Sequence, residues 1–243
     1  MGAADTPAPL VREWVATARS VAVLTGAGIS AESGIPTFRG AGGLWRKYRA
    51  DNLATPEAFA RDPKLIWEWY DWRRSVIATA EPNAGHRALA ELERRALQFT
   101  LVTQNVDGLH DRAGSRRLLK VHGDIWSLRC TACKREWQDL RPSLPELPPL
   151  CACGQMGRPG VVWFGEALPE DVWSAALTAV RGAEILLVVG TSAVVFPAAG
   201  LVQLARSAGA KVVEINVEET PVSAQVDVSW RAPAAEALPQ LVG

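Results

Sequence analysis

The chain has 243 residues, 48 % of them apolar, and its 26 basic side chains are matched by 26 acidic ones. That length buries a large core and suits one α/β domain with room for insertions, while the composition excludes the disordered class. A net charge of zero gives no electrostatic reason to expect nucleic acid or a bilayer as a general partner, and no apolar run approaches the roughly 20 residues of a membrane helix.

In chain order, residues 1–9 lack the basic and apolar zones of a signal peptide, so a cytoplasmic location is the simplest expectation. Residues 7–19 place Leu10, Trp14, Val15 and Ala18 on one helical face ahead of Ser20–Thr25, a β-branched apolar run that predicts a buried strand. The next residues, Gly26-Ala27-Gly28-Ile29-Ser30-Ala31, fit the dinucleotide fingerprint G-x-G-x-x-G/A, in which glycine keeps a Cβ from standing between backbone and pyrophosphate. Ser30, Glu32, Ser33, Gly34, Ile35, Pro36, Phe38 and Arg39 follow, a mixture of small, acidic, aromatic and basic groups that no simple strand–turn–helix requires, and Pro36 argues against an unbroken helix. Residues 44–80 are tryptophan-rich and too long for an ordinary loop. Pro56 and Pro63 read as helix starts and Leu65–Thr79 as a helix.

Residues 84–96 predict another helix, Gln98–Thr103 a second buried strand and Leu118–Val121 a third extended segment. From Ile125 to Val162 the texture becomes loop-rich, with a Pro-rich spacer over 141–150. The α/β rhythm then returns: helix 169–181, strand 184–189, helix 197–207, strand 211–215, strand 226–230 and a last helix starting near Pro233. Alternation of this kind predicts a Rossmann-like, doubly wound parallel sheet interrupted by smaller modules.

The only four cysteines, Cys130-x-x-Cys133 and Cys151-x-Cys153, fall in the loop-rich unit. Four thiolates in two close pairs suit tetrahedral Zn²⁺, and a unit too small to hold itself by apolar burial would draw folding free energy from the metal. A closed Cys₄ site leaves no position for water, so the expected role is structural. A zinc-ribbon nucleic-acid module competes, but its basic patch is missing.

Residues 26–40 closely resemble the first signature of the sirtuins, the NAD-dependent protein lysine deacylases. Gln104-Asn105-Val106-Asp107 and His122-Gly123 are similar to that family's QNxD and HG signatures. Gly190-Thr191-Ser192 and Asn216-Val217-Glu218 extend the resemblance over nearly the whole chain. Each lies at the carboxyl end of an expected strand, where open α/β sheets bind ligands. The resemblance implies an NAD-binding domain over 1–40, 81–124 and 163–243, a helical module over 41–80 and a zinc module over 125–162. It also implies NAD as co-substrate along the 26–36 loop, Phe38, Arg39, Trp45, the 104–107, 190–192 and 216–218 loops and Ala234. Asn105 and Asp107 would hold the nicotinamide and its ribose. Among the three histidines, His86 at a helix start and His110 beyond the QNVD turn have adequate packing roles, whereas His122 precedes a glycine expected to leave one side open, and the resemblance points to His122 as the base. In the implied reaction the acyl oxygen attacks C1′ as nicotinamide leaves. His122 then deprotonates a ribose hydroxyl, and the products are free lysine and O-acyl-ADP-ribose. An acyl-lysine peptide would pair as an extra strand with Val162-Trp163-Phe164-Gly165-Glu166, and the protein is expected to be a monomer. Two positions depart from the family's commoner pattern: the C-x-C spacing, and Gly160 where a histidine is frequent.

Tyr70 and Arg73, three apart in the expected helix, resemble the acyl-recognition pair of the sirtuin class that removes negatively charged acyl groups (class III). Ala54 resembles a small residue found in the same class. Arg73 would then receive a succinyl-type carboxylate, with acetyl as the poorer substrate. Two other readings stand beside this one. A hydride-transferring dehydrogenase needs an acidic residue about 20 positions after the glycines; Asp51 has the spacing but falls in the helical module. A catalytically silent NAD or ADP-ribose sensor would not need intact Asn105, Asp107 and His122.

Overall fold

A computed structural model describes residues 6–37 and 53–243. Phe38, Arg39, Trp45 and Asp51, with the first part of the expected helical module, lie outside the described residues. The helices are α1 (Ala8–Thr17), α2 (Gly28–Ala31), α3 (Pro56–Arg61), α4 (Pro63–Thr79), α5 (Ala84–Arg95), α6 (Leu109–Ala113), α7 (Glu170–Arg181), α8 (Gly200–Ser207) and α9 (Ala234–Ala237). The strands are β1 (Ser20–Thr25), β2 (Gln98–Thr103), β3 (Leu118–Lys120), β4 (Gly123–Cys130), β5 (Glu136–Gln138), β6 (Gly157–Val161), β7 (Ile185–Val189), β8 (Lys211–Asn216) and β9 (Val228–Arg231). No helix among the described residues is long and apolar enough to cross a membrane.

Six strands form one parallel sheet in the order β3-β2-β1-β7-β8-β9. The chain builds outward from β1 on one side, then returns to build outward on the other, so the switch point lies between β1 and β7. Both sheet faces are covered, as the apolar runs require. Val21 and Val23 face Leu89, Leu92 and the C-terminal Leu238 and Leu241, while Ala22 and Leu24 face Ala176, Val180, Leu201 and Val202.

The smaller sheet, β5-β4-β6, is antiparallel. Its inner face packs against α3 and α4 through Ile125, Leu128, Val161 and Trp163 on one side and Phe59, Ile66, Trp67 and Tyr70 on the other. Much of the tryptophan-rich stretch is therefore core: the Trp67 indole is fully buried and donates to the Gly157 carbonyl at 2.8 Å. Arg74 on α4 is also fully buried, and its guanidinium donates to the carbonyls of Ile125 (2.9 Å), Asp139 and Arg141 (2.8 Å) while stacking on Trp126.

The start of α4 at Pro63 is the one read from the sequence, and Asp62 caps it, its carboxylate accepting from the Leu65 amide at 3.0 Å. Several boundaries differ from expectation. α8 begins at Gly200, since residues 195–200 make turn bonds instead. The last strand starts at Val228, after a 3-10 turn over Ser223–Gln225. α6 follows the QNVD loop without having been anticipated. The clearest correction is at 162–166, where the expected strand is a turn. Gly165 has φ +86°, and Glu166 folds back to bond Trp163 through both its amide and its carboxylate.

Candidate active site

The carboxyl ends of β1 and β7 meet at the switch point without side chains between them. The Gly26 amide donates to the Val189 carbonyl at 3.1 Å and the Gly28 amide to the Gly190 carbonyl at 2.7 Å. A Cβ on Gly26 would lie 2.8 Å from Thr191, and one on Gly28 would lie 2.7 Å from the Gly190 oxygen. The fingerprint glycines are thus required first by backbone-on-backbone contact between two loops. Gly190 meets the same constraint from the other side, with φ +58° and a Cβ that would strike the Ile29 nitrogen at 2.4 Å. Likewise Gly123 does not open a space beside His122. Its φ is +79°, and a Cβ there would collide with the Gly160 oxygen at 2.2 Å. Gly160 is held in turn, since a Cβ on it would lie 2.8 Å from Ser127. This backbone leaves no room there for the histidine frequent in the family.

Polar side chains converge on this crevice from four strand ends. Ser30 is the hub. Its hydroxyl donates to Asp107 Oδ2 at 2.8 Å and lies 3.3 Å from Asn105 Nδ2, which also donates to the Gly26 carbonyl at 3.1 Å. Asp107 Oδ1 accepts from the Leu109 amide at 2.9 Å. Burial raises the Asp107 pKa, against the pull of these two hydrogen bonds and the nearby Arg73 charge. Gln104 bridges loops: its side chain donates to Thr191 Oγ1 at 3.0 Å, and its carbonyl faces His122 Nδ1 at 3.1 Å. A carbonyl can only accept, so Nδ1 carries the proton and Nε2 keeps its lone pair. Burial lowers the His122 pKa, with the bond to Gln104 acting in the opposite sense. A neutral imidazole with a free Nε2 is the form a general base needs.

The remaining expected residues fall around this centre. The Val162 amide donates to the His122 carbonyl and the Phe164 amide to the Ala54 carbonyl, both at 2.9 Å, so the 162–164 segment runs from the histidine to Ala54. Tyr70 is buried, and its hydroxyl accepts from the Trp163 indole at 2.9 Å. Arg73 lies 5.0 Å from the Trp69 ring centre and 5.5 Å from that of Tyr70, and lines a narrow crevice with Ile35, Pro36, Trp72 and Val76. Burial lowers its pKa, while Tyr70 and Asp107 oppose the shift. Asn216 holds the Thr191 carbonyl at 2.9 Å and caps the Val217 amide. Glu32 turns to α9, accepting from the Ala235 amide at 2.9 Å, which brings it beside Ala234.

Sequence reasoning missed part of the network. Thr25 and Thr103 are register partners whose hydroxyls bond at 2.8 Å, and Thr25 also meets His110 Nε2 at 3.0 Å. Asn83 caps α5 and reaches back to the Ile29 carbonyl at 2.7 Å and to Ser33 at 3.0 Å. His86 completes that capping box, its Nδ1 accepting from the Asn83 amide, which leaves Nε2 facing Ser30 at 3.4 Å. The three-residue spacing of Asn83 and His86 was the available signal.

The four cysteine sulfurs lie within 4.8 Å of one another. Cys130 and Cys153 are 3.5 Å apart and Cys133 and Cys151 3.8 Å, close to the roughly 3.8 Å edge of a tetrahedron with 2.3 Å Zn–S bonds. The donor set fits structural zinc, and the C-x-C spacing does not prevent it.

Residues 26–197 match the Sir2 family model. The NAD-dependent protein deacylase of Aquifex aeolicus is 54 % identical over 220 residues, covering 90 % of this chain and 92 % of the relative. A mutant Sir2 homologue in complex with 2′-O-acetyl-ADP-ribose superposes with TM-score 0.90 at 48 % identity, over 96 % of this chain and 94 % of the other. A Sir2 structure with a p53 peptide and NAD⁺ gives TM-score 0.86 at 31 % identity, over 96 % and 95 %.

Two outcomes follow from this geometry. The purified protein should carry one zinc per chain, and Cys151→Ser should lose it together with thermal stability; elemental analysis finding no zinc in folded, active protein would contradict the assignment. Burial, and then the Arg87 charge, push the His86 pKa from its ordinary 6.5 to about 4. The unfolded chain therefore binds that proton first as pH falls. The contribution, at most about 3 kcal/mol, is complete above pH 6.5 and is lost progressively towards pH 4. NMR titration of the folded protein should find His86 neutral down to that range, and a midpoint near 6.5 would refute the desolvation argument.

Proposed function

The chain belongs to the Sir2 family, and from that premise we propose that it removes acyl groups from protein lysines with NAD as co-substrate. With one water consumed, the products are nicotinamide, free lysine and O-acyl-ADP-ribose, and succinyl-type groups are preferred over acetyl. Family membership speaks against a hydride-transferring dehydrogenase. The reading rests above all on one observation. Gln104 fixes His122 as the Nδ1–H tautomer, with Nε2 unpartnered among the described residues, in the same loop cluster that gathers Ser30, Asn105 and Asp107.

In this reading Asn105 and Asp107 position the nicotinamide ribose, and Ser30 ties the two together. His122 Nε2 takes the proton of a ribose hydroxyl, which becomes the nucleophile towards the acyl carbon. Its lowered pKa keeps it neutral at physiological pH. The loops carrying Gly190–Ser192 and Asn216–Glu218 receive the rest of the cofactor.

The peptide is proposed to lie along 162–166, but with restricted pairing. The amides of Val162, Trp163, Phe164 and Glu166 are already engaged within the protein. A substrate backbone must therefore donate to carbonyls of this turn more than it accepts, and sequence tolerance follows from backbone contact.

Acyl preference is assigned to Tyr70 and Arg73. The Tyr70 oxygen accepts from Trp163, which leaves its own proton to donate to a distal carboxylate. Arg73, its guanidinium carbon 5.0 and 5.5 Å from the two aromatic ring centres, carries a planar fork of donors in a desolvated setting.

His122→Ala should still bind NAD while deacylation falls by about 10²–10⁴-fold, as expected for loss of a general base; near-normal turnover with saturating peptide would end the case for His122. Removing one member of a desolvated charge pair costs about 2–5 kcal/mol, so Arg73→Met should lower succinyl-lysine kcat/KM by about thirty- to several-thousand-fold. Because Arg73 also faces Asp107 electrostatically, acetyl-lysine activity should fall too, but far less. Equal losses on both peptides would remove the charged-acyl assignment and leave Arg73 a structural role.

A further inference from the structure

The QNVD loop leaves the parallel sheet after Thr103, and the carbonyls of its Val106 and Asp107 are held by the smaller sheet. The Ile125 amide donates to the Val106 carbonyl at 3.0 Å, and the Trp126 indole Nε1 donates to the Asp107 carbonyl at 3.0 Å. The turn that follows is shaped to the same ring: Gly108 has φ +77°, and a Cβ there would come within 3.2 Å of Trp126 Cδ1 and Nε1.

The ring is itself immobilised from several sides. Its backbone amide donates to Asp124 Oδ1 at 2.8 Å, and Lys120 anchors the other oxygen of Asp124 at 2.6 Å. The Arg74 guanidinium lies 4.9 Å above it and holds the Ile125 carbonyl at 2.9 Å. Trp126 is buried, so its N–H has no water to fall back on. An apolar packing role would be met by any ring of this size. The donor aimed at the main chain of Asp107 is what a phenylalanine would lack.

We propose that Trp126 is a positioning residue for the reaction. It fixes the main chain of Asp107, and through it the carboxylate that Ser30 and Leu109 address, at the height the cofactor ribose requires. The inference rests on the reading that Asp107 meets that ribose. It also gives β4 a second task. The strand starts directly after His122 and carries Trp126 three residues further along, so one rigid strand sets the base and the ribose-binding acid relative to each other.

The test is Trp126→Phe in the full-length, zinc-loaded enzyme, with Asp107→Asn measured beside it. Losing one buried donor should raise the NAD KM about fivefold and slow nicotinamide base exchange by a similar factor. Zinc content and acyl-peptide Kd should stay unchanged, which a general loosening of the fold would not allow. If Trp126→Phe fails to fold, a benzothienylalanine at position 126 keeps the bicyclic shape without the N–H and gives the same readout. Unchanged NAD KM and base exchange in the donor-less protein, with Asp107→Asn impaired, overturns the role of Trp126 alone. Normal NAD handling by Asp107→Asn overturns the assignment of Asp107 and the inference with it.

Discussion

The architecture depends on a contact made without side chains. Where β1 and β7 end, the loops carrying Gly26, Gly28 and Gly190 press main chain against main chain, with the Gly28 amide on the Gly190 carbonyl at 2.7 Å. No residue with a Cβ fits at the two fingerprint positions without displacing the facing loop. This approach lets the Thr191 hydroxyl reach Gln104 and lets Asn105 reach the Gly26 carbonyl. Each of those bonds then orients a further group. A steric constraint on glycines thus becomes a fixed arrangement of polar atoms at the switch point of the sheet.

From that floor the site is assembled by two units with different sources of rigidity. The parallel sheet is held by apolar faces covered on both sides. The small sheet is held by its packing on the aromatic residues of α3 and α4, by the buried Arg74 and by a cysteine cluster shaped for zinc. A metal far from any reacting atom can therefore matter to chemistry, because β4 runs from beside His122 to Cys130. Burial also sets the protonation states. It raises the pKa of Asp107 and lowers those of His86, His110 and His122, so the histidines enter the network as neutral donors and acceptors.

Much of this was legible in the residues. The β-branched runs of 20–25 and 98–103 could hardly be anything but buried strands, and the four cysteines announced a metal site by pairing alone. Signature residues read as separate loops, Gln104 to Asp107 and His122, do meet in space. What the sequence could not convey is which partner each group chooses. Glu32, expected along the cofactor loop, also accepts from the Ala235 amide at the start of α9, a partner from the other end of the chain. Gly123 looked like open space beside His122 and is a tight crossing with Gly160. The 162–166 segment resembles the family's substrate-binding strand, but the reach of Glu166 back to Trp163 and the left-handed Gly165 close it into a turn. Such choices depend on non-local distances, which periodicity and spacing do not encode.

The bond between the Trp163 indole and the Tyr70 hydroxyl has an evolutionary consequence. Both side chains are buried, so replacing Tyr70 by phenylalanine would strand the indole N–H without an acceptor. A lineage changing residue 70 could not abandon the hydroxyl alone without destabilising the segment that carries Phe164 and Glu166. Positions 70 and 163 should therefore change together, and the order of substitutions matters: losing the indole donor first leaves a hydroxyl that can turn elsewhere, whereas losing the hydroxyl first leaves a donor that cannot. The identity of residue 70 is thereby tied by epistasis to the shape of the neighbouring turn, and substitutions at this pair are steered along one of the two mutational paths.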